Sequence, residues 1–257
     1  MKYKAIIFDV DGTAVPLGSM TASPRLQAAI AAAQKIVNVS AATGRSYEFA
    51  CPIFTSLGIT APSVMMAGTA IINPNTDEVI WSKPMSIKQT DAILEQVAKY
   101  QSDTKLGISP VKTAISVEEY RKHEHTTSAV YALAVPADQA PKMVADIAKI
   151  PDSIAHTTPS WTPNMVDVHI THAQATKQHS IEVLIKSLGL KQSEVIGIGD
   201  SANDLPIFKA TGHHIAMGNA QDILKQQADE IAPSVVEDGL AQIIEKYFLS
   251  SSPNSNP

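Results

Sequence analysis

The chain has 257 residues, of which 44% are hydrophobic and 18% charged, and 20 Lys plus Arg stand against 25 Asp plus Glu for a formal charge of -5. That length buries a sizeable core in one large domain or two smaller ones, and the composition excludes disordered and fibrous classes. The acidic balance, with no basic stripe, excludes nucleic acid as a partner, and no segment approaches the roughly 20 apolar residues of a membrane span.

Tyr3 to Phe8 is a short apolar run that stops at Asp9-Val10-Asp11-Gly12, as a buried parallel strand does on meeting a turn. It is also too short for the core of a signal peptide, so the protein reads as cytoplasmic. Ser23-Pro24 caps and opens a helix with Leu26, Ile30 and Ala33 at helical spacing. Ile36 to Ala41 is a second strand, ending at Thr43-Gly44-Arg45. A helix through Phe49, Ile53 and Leu57 follows, and Gly58 terminates it. It carries Cys51, the sole cysteine, which excludes an internal disulfide and reads as core filler.

The texture then changes. Ile71-Ile72 and Val79 to Trp81 read as hairpin strands, followed by an amphipathic helix through Ile87, Ile93, Leu94 and Val97. Val130 to Val135 and Met165 to Ile170 read as strands, with a helix through Val144 and Ile147 between them. This α+β block is expected to be a second domain over residues 82–168, inserted into a core formed by 1–81 and 169–249. Trp81 and Trp161 lie near its edges, where packing is their expected role.

The strand and helix rhythm then returns. Lys177 to Leu188 is a helix stopped by Gly189, and Val195 to Ile198 a strand ending at Gly199-Asp200. A helix through Leu205 and Phe208, a strand from His214 to Met217, a helix around Ile223, a short strand near Ile231 and a final helix from Leu240 to Phe248 complete it. The two ends make halves of one doubly wound, mostly parallel Rossmann-like α/β sheet. Residues 250–257, only Ser, Asn and Pro, are expected to be disordered.

Asp9 and Asp11 lie just past the carboxyl end of the first strand, where open α/β sheets bind ligands. Spaced two apart in an extended segment, they leave on one side and can face one ligand. Paired carboxylates repel unless a cation or proton is shared, which suits magnesium and its preference for oxygen ligands. Asp-x-Asp-Gly alone is equally a turn signal. Gly199-Asp200-Ser201-Ala202-Asn203-Asp204 repeats the placement at a second strand end, however, and Thr43-Gly44-Arg45 sets a hydroxyl and a turn glycine at a third. The Thr43 hydroxyl and the Gly44 amide are candidates to hold a phosphate. Lys177 opens a helix after the inserted block, and spacing alone gives it no role.

Asp9-Val10-Asp11-Gly12-Thr13, Thr43 after an apolar strand, Lys177 and Gly199 to Asp204 resemble, in order and spacing, the four motifs of haloacid dehalogenase (HAD) hydrolases. The large insertion between the second and third motifs resembles the cap of the Cof-type (class IIB) branch, and Ala216-Met217-Gly218-Asn219-Ala220 with Glu237-Asp238-Gly239 resembles its carboxyl end. The resemblance implies a magnesium-dependent phosphomonoester hydrolase acting on a small soluble metabolite, with sugar phosphates as the expected class. Asp9 would be the nucleophile that forms a phospho-aspartate and Asp11 the general acid and base. Magnesium would bind Asp9, the backbone carbonyl of Asp11, and Asp200. Thr43, Gly44, Lys177 and Asn203 would hold the phosphate, with Asp204 orienting metal-bound water or Lys177.

The sequence departs from that branch in two places. Ala67-Gly68 stands where Asn-Gly is usual, and Ala14 where leucine usually follows Asp-Gly-Thr. His123, His125, His169, His172, His179, His213 and His214 match no zinc motif, and Gly197-x-Gly199 is too short for a dinucleotide fingerprint. Competing readings are a HAD-type phosphomutase, a phosphorylatable receiver-like switch and a non-catalytic phosphometabolite-binding module. The expected state is a monomer or weak homo-oligomer.

Overall fold

The computed structural model describes residues 2–100, 102–108, 114–122, 126–160 and 162–250. The expected disordered tail beyond Ser250, Trp161, His123 and His125 lie outside the described residues.

Strand β1, Ala5–Phe8, is buried at every position because it lies inside a five-stranded parallel sheet. Its neighbours are β2, Asn38–Ala41, on one side and β11, Val195–Gly199, on the other. β12, His213–Ala216, and β13, Glu230–Ile231, continue beyond β11. The chain leaves β1 for β2 on one flank and returns to the opposite flank as β11. The carboxyl end of β1 is therefore a point where strand order reverses and a crevice opens.

The helices around this sheet start and stop where their caps dictate. Helix α1, Pro24–Ala33, is opened by Ser23, whose Oγ accepts the Leu26 N–H at 3.1 Å. Helix α2, Tyr47–Leu57, ends at Gly58, which takes φ +68°. Helix α6, Lys177–Ser187, is capped by Thr176, and α7, Leu205–Ala210, and α8, Asp222–Lys225, follow. The final helix differs from the expected Leu240 to Phe248. Helix α9 covers Gly239–Ile244 and then widens into a π-helical turn over Glu245–Leu249.

Between these halves lie two antiparallel sheets. The smaller has β3, Ser63–Met65, β4, Ala70–Ile72, and β5, Val79–Ser82, and it joins the parallel sheet through the bridge of Ala42 with Val64. The larger comprises β6, Asp103–Ile108, β7, Ala114–Ser116, β8, Thr127–Pro136, β9, Ser153–Pro159, and β10, Met165–His172, in the order β7-β6-β8-β10-β9. Helices α3, Ile87–Val97, and α5, Ala140–Ile147, pack on one face of it, around Ile93, Leu106, Val130, Met143, Val168 and Ile170. The short helix α4, Val117–Tyr120, follows β7 and adds Tyr120 to the same core.

These elements run from Met85, which pairs with Thr127, to His172. Ser82 pairs with Ala70 in the smaller sheet, and His169 to His172 continue β10. Strands β3, β6, β7 and β9 were not expected from the sequence. Polar residues alternate through β6 and β9 without the apolar density that marks a core strand. Among the described residues, no helix is long and apolar enough to cross a membrane.

Candidate active site

The last residues of β1 and β11 hand their chains to turns that fold against one another. Asp9 donates its N–H to the Ile198 carbonyl at 3.0 Å, so the nucleophile candidate is still tied to the sheet as it leaves β1. Gly12 follows with φ +81°, and a Cβ there would sit 2.3 Å from Asp200 Oδ2. Only glycine both adopts that backbone and lets the two loops touch. The Gly12 carbonyl accepts from Asn219 Nδ2 at 2.8 Å, while Asn219 Oδ1 takes the Val235 N–H at 2.8 Å. A single side chain thus joins the first turn to the carboxyl-terminal segment.

This close approach gathers Asp9, Asp200 and Asp204, whose carboxylate oxygens lie within 4.8 Å of one another. Asp204 is fully buried because its Oδ2 accepts the N–H groups of Asp200 at 3.0 Å and Ser201 at 3.1 Å. Gly199 makes room for it, since a Cβ there would lie 2.4 Å from Asp204 Cβ. The ammonium of Lys177, also buried, bonds Asp9 Oδ1 at 2.9 Å and Asp204 Oδ1 at 2.8 Å. It is held at the amino end of α6 by an unusual neighbour. Gly68, at φ +105°, packs so closely on the helix start that a Cβ would fall 2.3 Å from the backbone nitrogen of Lys177.

Three carboxylates thus share one lysine, and the titration follows from that imbalance. Burial and the neighbouring charge of Asp204 push Asp9 up to about 8, against the opposing pull of Lys177. Burial and Asp204 likewise raise Asp200 to about 6. Burial alone would lower Lys177, but Asp204 and Asp9 outweigh it and raise its pKa, so the ammonium stays charged. The donor set is all hard oxygen and short of positive charge, which suits magnesium.

Asp11 stands apart from this cluster. Its carboxylate is gripped by Arg45 through Nε to Oδ2 at 2.8 Å and Nη2 to Oδ1 at 2.7 Å, a bidentate pair. Arg45 is in turn fixed by the carbonyls of Ser19 at 2.9 Å and Phe49 at 3.4 Å. Sequence reasoning missed this residue. The signal available was an arginine directly after Thr43-Gly44, at the strand end neighbouring an aspartate that needs a partner.

Thr43 is buried at the end of β2, beside β1, and its Oγ1 accepts the Arg45 N–H at 3.1 Å. Gly44 is exposed beside it, with nothing within 4 Å of where a Cβ would stand. Asn203 is exposed on the β11 loop, where its Oδ1 accepts from Ser201 Oγ at 2.8 Å. All eight expected residues therefore lie in the loops that close this end of the sheet or at the start of α6. Asp9, Lys177, Asp200 and Asp204 meet, and Asp11 is paired with Arg45.

Three of the discounted histidines lie in packing contacts. His214 stacks on Phe208 with centroids 4.9 Å apart, His179 abuts Trp81, and His213 Nε2 lies 2.8 Å from the Tyr247 hydroxyl.

Known proteins similar to this chain include several phosphatases. The phosphoglycolate phosphatase of Methanothermobacter thermautotrophicus is 32% identical over 81 residues, which are 32% of this chain and 37% of that protein. The phosphoglycolate phosphatase 1 of Saccharolobus solfataricus is 39% identical over a stretch that spans 36% of its length. The chain thus spans only about a third of each of these relatives. The pyridoxal phosphate phosphatase YbhA of Escherichia coli is 21% identical across 97% of this chain and 100% of its own. Among solved structures, a haloacid dehalogenase-like hydrolase from Bacteroides thetaiotaomicron superposes with TM-score 0.79 at 20% identity, covering 96% of this chain and 100% of that one. A HAD subclass IIB sugar phosphatase superposes with TM-score 0.74 at 21% identity, over 95% and 98% of the two chains. The model of the haloacid dehalogenase-like hydrolases matches residues 6–127 and 101–244, nearly the whole chain, and the protein belongs to that family.

Proposed function

We propose that the protein is a phosphatase that cleaves small phosphomonoesters through an acyl phosphate on Asp9. One observation carries the reading: a buried aspartate at the sheet's reversal point, bonded through Oδ1 to Lys177 and crowded by two further carboxylates. Lys177 leaves the other oxygen of Asp9 to attack phosphorus, and it supplies positive charge where phosphoryl oxygens gather. Asp11 protonates the leaving alcohol as its bond to phosphorus breaks. It then takes a proton from the water that attacks the acyl phosphate, which frees phosphate and restores Asp9. Thr43, the Gly44 amide and Asn203 hold the remaining phosphoryl oxygens, and Asp204 anchors Lys177. Magnesium, held by Asp9, Asp200 and the Asp11 carbonyl, would neutralise charge on the transferring group.

The block carrying the larger sheet acts as a cap that closes over the site and excludes bulk water. Several relatives are named for small phosphorylated metabolites, and a structural neighbour for sugar phosphates, which supports a sugar phosphate as substrate.

The test is phosphate release from a panel of sugar phosphates, nucleotides and phosphoglycolate, with magnesium or with EDTA, for the wild type and Asp9→Asn. Turnover that needs magnesium and disappears in Asp9→Asn is expected. Turnover surviving both treatments would refute the mechanism, and isomer formation without free phosphate would replace it with a mutase.

A further inference from the structure

The loop between β12 and α8 reaches both turns that carry the acidic cluster, although it contributes no acid to it. Asn219 donates from Nδ2 to the Gly12 carbonyl at 2.8 Å, directly after Asp11 in the first turn. Two residues on, the Gln221 N–H bonds the Asp200 carbonyl at 2.8 Å, and Gln221 Oε1 accepts the Ala202 N–H at 3.0 Å. The first turn supplies Asp9 and Asp11, and the second supplies Asp200 and Asp204. Residues 217–221 therefore tie the two turns together as a brace.

The brace has its own anchors. Met217 donates its N–H to the Gly199 carbonyl at 3.0 Å, and the Ala220 N–H closes the loop on the Met217 carbonyl at 2.8 Å. Met217 and Ala220 are buried in the core under the parallel sheet. Gly218 lies against the segment after β13, where a Cβ would stand 2.8 Å from the Ser234 nitrogen. Asn219 Oδ1 takes the Val235 N–H at 2.8 Å, so its amide is engaged at both ends and cannot rotate without losing two bonds.

What the brace governs is the gap between the turns. Gly12 and Asp200 already touch, since a Cβ on Gly12 would fall 2.3 Å from Asp200 Oδ2. The Thr13 hydroxyl adds only a long bond to Asp200 Oδ1, at 3.4 Å. Asp9, Asp200 and Asp204 lie within 4.8 Å of one another, and carboxylates that close repel. The bonds of Asn219 and Gln221 resist the parting of the turns that this repulsion favours. Magnesium demands near-ideal octahedral geometry at about 2.0–2.1 Å, whereas calcium takes about six to eight oxygens at about 2.3–2.6 Å in a pliable shell. A gap held at one width therefore penalises the larger ion, and a loosened gap penalises the smaller.

We propose that Asn219 and Gln221 are positioning residues that make the centre selective for magnesium over calcium, by keeping the Gly12 and Asp200 turns from moving apart. The inference rests on the magnesium-dependent phosphatase reading above and deepens it by naming what sets the choice of ion. Both side chains are exposed, so truncating them opens no internal cavity.

The experiment is isothermal titration of magnesium chloride and, separately, calcium chloride into the full chain, stripped with EDTA and dialysed, at pH 8 and fixed ionic strength. The proteins are the wild type, Asn219→Ala, Gln221→Ala and Gln221→Glu, the last of which keeps the acceptor for Ala202. Urea unfolding of the metal-free proteins reports on folding separately. The wild type is expected to bind magnesium more tightly than calcium. Each alanine variant is expected to weaken magnesium by about 3- to 10-fold, the worth of one hydrogen bond, while calcium changes by less than about 2-fold. Gln221→Glu is expected to keep the wild-type ratio, and the Gln221 pair decides the matter should Asn219→Ala fail to fold. Equal weakening of both ions, a ratio unmoved in the alanine variants, or a wild type that prefers calcium would overturn the selectivity alone. A wild type that binds neither ion would remove magnesium from the phosphatase reading and this inference with it.

Discussion

Replacing Lys177 with methionine keeps the length of the side chain and removes the charge that two buried carboxylates share. The wild-type ammonium lies 2.9 Å from Asp9 and 2.8 Å from Asp204, and all three groups are less than a tenth exposed. Breaking a buried pair by deleting one partner costs about 3–5 kcal/mol, because the remaining charge keeps its desolvation penalty and loses its compensation. The loss should depend on pH with a definite sign. Asp9 already sits at about 8 in the folded state against an ordinary 3.8, so between these values the native state binds more protons than the unfolded chain. Stability therefore falls as pH rises through that window. Without Lys177, Asp9 holds its proton more firmly still, so the variant is penalised least near pH 5 and most near pH 8. Urea unfolding of both proteins in EDTA at the two pH values measures this. A loss below about 1 kcal/mol, or one that is equal at both pH values, would refute the account of a lysine holding together mutually repelling acids.

Magnesium should raise the melting temperature more at pH 8 than at pH 5, since binding must displace protons held by Asp9 and Asp200. Thermal scans with and without about 10 mM magnesium, far above a micromolar site, decide it, and a shift independent of pH would count against a site on these carboxylates. Arg45→Lys cannot reproduce the bidentate grip on Asp11, so kcat is expected to fall by about 10- to 100-fold with KM little changed. Stability within about 1 kcal/mol of wild type would separate positioning from folding, and unchanged kcat would dismiss the role. Ala67 adopts φ +55° and ψ +22°, a conformation that costs an L-residue about 1–2 kcal/mol. Ala67→Gly should therefore stabilise by about 0.5–1 kcal/mol in urea unfolding once glycine's own entropy cost is subtracted.

The parallel half of the fold was legible because its strands are apolar runs ended by turn residues and its longer helices carry a cap signal, as Ser23 does before α1 and Gly58 after α2. Asp9 and Asp200 could be found for the same reason, as polar residues at abrupt ends of apolar strands. What the sequence concealed depends on partners far along the chain. Nothing near Lys177 marks it as buried, because its environment is built by Asp9, Asp204 and the backbone of Gly68. Arg45 reads as an ordinary surface arginine until Asp11, 34 residues away, is seen in its grip. β6 and β9 escaped notice because few of their described residues are buried, and short polar segments of that kind resemble loops. Ala67-Gly68 read as a simple departure from a family pattern, whereas in the structure Met66, Ala67 and Gly68 all take positive φ.

The placement of β1 also bears on how the protein is made. Ala5 pairs with Val195, so one flank of this strand stays bare until 190 further residues have been assembled. At roughly 5–20 residues per second, a ribosome leaves that apolar edge waiting on the order of ten to forty seconds. The segment from Met85 to His172 carries its own core, so it can collapse during that interval while Ala5–Phe8 remains an unpaired, sticky ribbon. The strand that delivers Asp9 is therefore exposed to misassociation during synthesis, and a chaperone that shields this nascent strand would protect the candidate site before it exists.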